Sequence, residues 1–194
     1  MIPRRRSFLL GGAGLTLSGC LFDRAYYERN AQQKAFLDGL QAQAKPALAS
    51  NNPLQIEEAA KQSVVLSAKI GAFADWRGIL KQIDGNAQNV AVTLEIGPQV
   101  SLYAFNDWAL ALVGRAIFTQ SRETPPPGLS DGAIAALKTF RLGQTVAISG
   151  RMGEIAGSGL FDLTRLFGKG DGDNRQFLQA PRFVARLETL AASE

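Results

Sequence analysis

The sequence predicts a mainly β protein with a helical N-terminal extension, an α+β chain in which a five-stranded barrel follows a helical hairpin. Three observations predict it. Apolar residues recur at helical spacing between residues 23 and 72, the repeat changes to two after Asp75, and glycine and proline clusters cut the remainder into short segments. A chain of 194 residues, with 46% hydrophobic and 20% charged side chains, is long enough and apolar enough to bury one core.

From Asp23 to about Ala49 strong helix formers dominate, with Asp23 as N-cap and Phe36, Leu40, Ala44 and Leu48 as an apolar stripe. Pro46 is expected to end or bend this helix. Asn52 as cap and Pro53 at the first helical position announce a second helix, which continues through Ile56, Ala60, Val64, Ser67 and Ile70. Residues 23 to 72 therefore read as a helical hairpin.

Val90, Val92, Leu94 and Ile96 alternate with Asn89, Ala91, Thr93 and Glu95, the pattern of a half-buried strand. A less regular strand, Trp76 to Ile83, precedes it through the turn Asp84-Gly85-Asn86, and Val100 to Phe105 follows the turn at Gly97-Pro98. In residues 106 to 129, Trp108 to Val113 suits a short helix and Ala116 to Gln120 a strand, before the loop Pro125-Pro126-Pro127-Gly128. Ser130 caps a helix through Ile134 and Leu137 that Gly143 terminates, and Gln144 to Arg151 is a strand with Val146 and Ile148 inward. A turn occupies Gly153 to Gly159, Leu160 to Leu166 is a further strand candidate, and residues 168 to 175 make a polar loop. Pro181 to Leu190 closes the domain, with Phe183, Ala185 and Leu187 alternating against Arg182, Val184 and Arg186.

A three-strand meander, a helix and then at least two strands is the connectivity of the OB-fold. Trp76-Arg77-Gly78, Tyr103-Ala104-Phe105-Asn106-Asp107, Leu142 to Gly150 and Phe161-Asp162-Leu163-Thr164 resemble OB-fold modules of bacterial envelope proteins, which are related to the anticodon-binding type. The resemblance covers residues 76 to 190 and consists of glycines and apolar positions, so it implies an OB-like barrel and no particular chemistry. The long insertion at residues 106 to 129 departs from it.

Residues 1 to 19 have a cationic start (Pro3-Arg4-Arg5-Arg6), an apolar run from Phe8 to Leu17, and the small residues Ser18 and Gly19, the three parts of an export signal. The run falls well short of the roughly 20 apolar residues that span a membrane. Arg5-Arg6-Ser7-Phe8-Leu9 resembles the twin-arginine signal for export of folded proteins. Leu17-Ser18-Gly19-Cys20 resembles the lipobox of bacterial lipoproteins. That resemblance implies cleavage before Cys20, a diacylglycerol on its thiol, palmitate-like acyl chains as membrane anchor, and a tether starting at residues 20 to 22. Each buried methylene adds ~0.8 kcal/mol, so several chains hold firmly where one binds marginally. The domain would face the periplasm, and Leu21 in place of Asp after the cysteine favours the outer over the inner membrane.

The formal charge of +4 first suggests a polyanion-binding protein. Three of the 21 basic residues are Arg4, Arg5 and Arg6, which leaves 18 against 17 acidic residues after the signal and no basic cluster. That balance argues against a nucleic-acid partner.

The chain has no histidine and one cysteine, which excludes Ser-His-Asp and Cys-His catalysis and the usual zinc sites. Glu95, Glu154 and Asp162 are the carboxylates near strand ends, and nothing in the sequence pairs them for glycoside hydrolysis. Gly170-Asp171-Gly172-Asp173-Asn174 resembles the start of a calcium loop, but Gln176 and Arg182 stand where glycine and a bidentate glutamate belong. A polar hairpin turn is expected there, with no metal and no other cofactor. Tyr103, Phe105, Trp108, Phe118 and Phe161 could stack on bases or sugars, with Arg77, Arg115 or Arg151 beside them, although half of the aromatics fall at inward positions. The expected function is a non-enzymatic, membrane-anchored binding or scaffolding module that engages an envelope protein through the barrel face or the hairpin stripes. The alternative is an oligosaccharide- or nucleotide-binding OB module, and an enzyme is the least supported reading.

Overall fold

A computed structural model describes residues 24–86, 89–106, 128–152 and 171–193 of the chain. The leader, Cys20 and Asp23 lie outside the described residues, as do the helix and strand expected within 108–120, the turn at 153–159 and the strand at 160–166.

The N-terminal part contains three helices, α1 (Arg24–Glu28), α2 (Ala31–Ser50) and α3 (Pro53–Ile70). The single helix expected from Asp23 is broken at Arg29 and Asn30, where the Asn30 carboxamide oxygen accepts from the Gln33 N–H at 3.0 Å and caps α2. Pro46 does not end α2. Both Pro46 and Ala42, whose carbonyl it leaves without a helical donor, are exposed, so water can satisfy that oxygen. Buried Leu40 and Ala47 hold the two halves in line. Helix α3 starts as the sequence predicts, with Asn52 accepting from Leu54 N–H at 3.0 Å and proline at its first position.

The strands are β1 (Ala72–Gly85), β2 (Val90–Gly97), β3 (Val100–Phe105), β4 (Gly128–Leu129), β5 (Thr145–Met152) and β6 (Arg182–Ala192). Strand β1 pairs antiparallel with β2 and β5, β2 with β3, and β5 with β6. Parallel pairing of Ser101–Tyr103 with Arg182–Val184 joins β3 to β6 and closes five strands into a barrel. Helix α4 (Asp131–Leu137) lies between the third and fourth barrel strands, and its cap Ser130 accepts from the Ala133 N–H. This is the OB-like architecture that the sequence predicts.

Several local expectations are corrected. Strand β1 begins at Ala72, because an irregularity between Phe73 and Trp76, with Asp75 at φ 54°, interrupts the alternation that marks a strand. Helix α4 ends at Leu137, and Gly143 (φ 81°) instead turns the chain into β5, its N–H donating to the Leu80 carbonyl at 2.7 Å. The polar loop expected through 175 is helix α5 (Asp171–Gln179) from 171 onward. Its Phe177 and Leu178 are buried, and Phe177 meets Phe183 edge-on at 5.7 Å, so packing creates a helix that composition disfavours. The short β4 lies at the end of a stretch read as loop, and Val184 is buried despite its outward place in the alternation.

The core runs without a break from barrel to hairpin. Phe36 of α2 stacks on Trp76 of β1 with ring centroids 5.4 Å apart and meets Phe183 of β6 edge-on at the same distance. Phe36, Leu40, Ile56, Ala60 and Val64 are all buried. Phe36, Ile56, Ala60 and Val64 are thus spent on the barrel and on each other, while Ala44 and Leu48 of the first stripe stay partly exposed. Among the described residues no helix is long and apolar enough to cross a membrane.

Candidate functional site

Among the described residues the ligand-stacking and arginine candidates lie apart. Tyr103 and Phe105 share the outer side of β3 with rings 5.5 Å apart, but Phe105 is buried and β2 separates both from Arg77 on β1. Arg77 donates to the Ser193 hydroxyl, and Arg151 faces Glu188 at 3.5 Å in a half-exposed pair. On the β1–β5 ladder Arg77 pairs with Ala147 and Arg151 with Ala72, so the two arginines are four positions apart on β5, roughly 13 Å at the rise of a strand. Trp108, Arg115, Phe118 and Phe161 lie outside the described residues.

Of the three carboxylates, Glu154 and Asp162 lie outside the described residues. Glu95 is occupied, with Lys81 Nζ 3.1 Å from one oxygen and the Tyr27 hydroxyl donating to the other at 3.5 Å. Burial raises the Tyr27 pKa above the ordinary phenol value, and the neighbouring Glu95 charge pushes it the same way. Burial also raises the pKa of Tyr26, while Ser193, Arg77 and Arg29 pull it partly back. The Tyr27–Glu95 bond fastens α1 to the outer wall of the barrel, and both tyrosines keep their protons throughout the neutral range.

Gln33, which the sequence reading passed over, is fully buried between hairpin and barrel. Its Nε2 donates to the carbonyls of Arg77 and Ile96, each at 2.7 Å, and its Oε1 accepts from the Arg77 N–H at 2.7 Å. Beside it, Gln32 Oε1 accepts from the indole N–H of Trp76 at 3.0 Å. The signal was legible: Gln33 stands three residues before Phe36 and places an amide in line with the apolar stripe.

A groove of about 460 Å³ follows the seam between α2 and the barrel. Leu37, Leu40, Ala44 and Leu48 of α2 form one wall, and Val100 and Leu178 face them from β3 and α5. Pro98 and Gln99 of the β2–β3 turn border the groove, together with Pro181, which leads into the fifth barrel strand. Glu28, Lys34, Asp38 and Lys45 stand around the rim, with Lys34 and Asp38 paired at 2.5 Å. An apolar floor with a charged rim has the make-up of a binding surface. Of the aromatic and arginine candidates named from the sequence, the described ones, Tyr103, Phe105, Arg77 and Arg151, do not line it.

No family model, no curated protein and no solved structure matches this chain.

Proposed function

We propose that this chain is a lipid-anchored envelope protein whose barrel and helical hairpin form a non-catalytic docking module for an envelope protein partner. The observation that carries the docking role is the seam groove, with Leu37, Leu40, Ala44 and Leu48 along one wall and charges at its rim. The anchor is supported by the lipobox-like Leu17-Ser18-Gly19-Cys20 behind a signal-like leader, which would place the domain on the periplasmic face of the membrane, the outer membrane by preference. Among the described residues Arg77, Arg151 and Tyr103 lie apart, which favours a protein partner over an oligosaccharide or nucleotide ligand.

Both halves of the proposal are open to test. Metabolic labelling with a fatty-acid analogue should mark the wild type and not Cys20→Ser, and the variant should leave the membrane fraction; a variant that stays there refutes the anchor. Amine-reactive crosslinking in the native envelope reads the docking role, because Lys34 and Lys45 stand on the groove rim while Lys138 caps the end of α4. One recurrent partner joined through Lys34 or Lys45 is the expected result, and partners joined equally through Lys138 would count against the groove.

A further inference from the structure

We propose that the seam groove receives an amphipathic helix of the partner, one with a basic residue at the end over Glu28 and an acidic residue at the end over Lys45. The inference rests on the docking role above and names its occupant.

Three observations select a helix. The strands beside the groove are bonded to each other, the Ser101 N–H donating to the Pro181 carbonyl at 2.9 Å, so no open sheet edge is offered to an extended peptide. The long wall is itself helical: Leu37, Leu40, Ala44 and Leu48 fall at steps of three and four residues and present a ridge, with a small residue within it, into which the side chains of another helix can fit. From Lys34 to Lys45 the wall runs eleven residues, about 16 Å at the helical rise, or three turns of a guest helix.

The rim sets direction. Glu28 and Lys45 are both exposed at opposite ends of the groove, and the Lys34–Asp38 pair between them is internally neutral. A guest therefore meets an acidic end and a basic end, and one of its two orientations is preferred.

The test uses the full chain carrying Cys20→Ser, so that its outcome does not depend on acylation. Backbone amide NMR shifts are followed during titration with three probes. The first is a peptide of roughly 18 residues, about five turns, with a helical apolar stripe, lysine at one end and glutamate at the other. The second has the same composition arranged in alternation, and the third is dodecanoic acid. The expected result is shifts at Leu40, Ala44 and Val100 with the helical peptide, and binding weaker by about tenfold or more for the other two probes. The double variant Glu28→Lys, Lys45→Glu alters only exposed rim charges and should prefer a peptide with reversed end charges by about fivefold. Comparable binding of all three probes, tighter binding of the fatty acid, no groove shifts with the helical peptide, or indifference of the double variant to end charges overturns the proposal. A Cys20→Ser protein that remained in the membrane fraction would count against the anchor and leave this result standing.

Discussion

Gln33 and Arg77 are bonded in both directions: the Gln33 carboxamide accepts from the Arg77 N–H and donates to the Arg77 carbonyl, each at 2.7 Å. The same nitrogen also reaches the Ile96 carbonyl, and the β1–β2 ladder starts just beyond, at Ile79 opposite Glu95. One helical side chain thus supplies the hydrogen bonds where the two strands part.

Gln33→Ala strands three backbone groups at the seam, the Ile96 carbonyl in a buried bond and the N–H and carbonyl of Arg77 in partly buried ones. An unsatisfied buried group costs about 1–3 kcal/mol and a partly buried one less, so a loss of about 2 kcal/mol or more is expected in urea unfolding. Gln33→Glu keeps the shape but turns an acceptor toward two carbonyls at neutral pH, and should be no better tolerated. A wild-type midpoint for either variant would show that the network contributes nothing.

Two glycines should respond very differently to alanine. A Cβ on Gly150 would lie 2.0 Å from the Arg186 carbonyl oxygen, inside the β5–β6 ladder, where backbone cannot yield. A Cβ on Gly97 would lie 2.5 Å from a Leu37 methyl, the free end of a side chain that lines the groove. Gly150→Ala should therefore cost about 3 kcal/mol or more, and Gly97→Ala within the range of about 1–3 kcal/mol typical of overpacking, while moving Leu37. Equal losses in thermal unfolding would contradict this reading of the two contacts.

Tyr27 gives the fold an alkaline limit. Its folded pKa is raised above the value of 10.0 that it takes in the unfolded chain, by burial first and by the Glu95 charge second. The stability it contributes is therefore complete below pH 10 and is lost as pH rises above that, because the unfolded chain releases the proton sooner. One such group adds a slope of about 1.4 kcal/mol per pH unit. Tyr27→Phe keeps the ring, gives up a long hydrogen bond of 3.5 Å, and should flatten the decline above pH 10 in urea titrations. An unchanged alkaline slope would place the limit in another group.

The barrel was legible in the sequence because its strands satisfy local rules: Val90 to Ile96 and Val146 with Ile148 alternate as they pack, and Asn52-Pro53 starts α3 by capping chemistry alone. The errors fall where distant residues decide. Helix α5 depends on packing against α3, about a hundred residues earlier in the chain, α2 survives Pro46 because packing holds both sides of it, and the start of β1 is hidden by the irregularity at Asp75. The candidate site was the least legible part. Its wall of Leu37, Ala44 and Leu48 reads as an ordinary amphipathic helix until Val100 and Leu178, far apart in sequence, are brought opposite to it.

That shared core sets how the protein unfolds. Phe36 is buried against both Trp76 and Phe183, so truncating it opens a cavity at the junction of α2, β1 and β6. Phe36→Ala should cost about 3–5 kcal/mol, the range for a large aromatic ring in a closed core. More telling is how the loss is distributed. If the hairpin completes the barrel, the amides of α2 and of β1 open in one cooperative event, and native-state hydrogen exchange should give them the same free energy in the wild type and the same reduction in the variant. An α2 whose amides exchanged at a much lower free energy than those of β1 would make the hairpin an independent appendage. Residues 71 to 194 should then fold alone, whereas a shared core predicts that this fragment stays unfolded because Trp76 and Phe183 lose their cover.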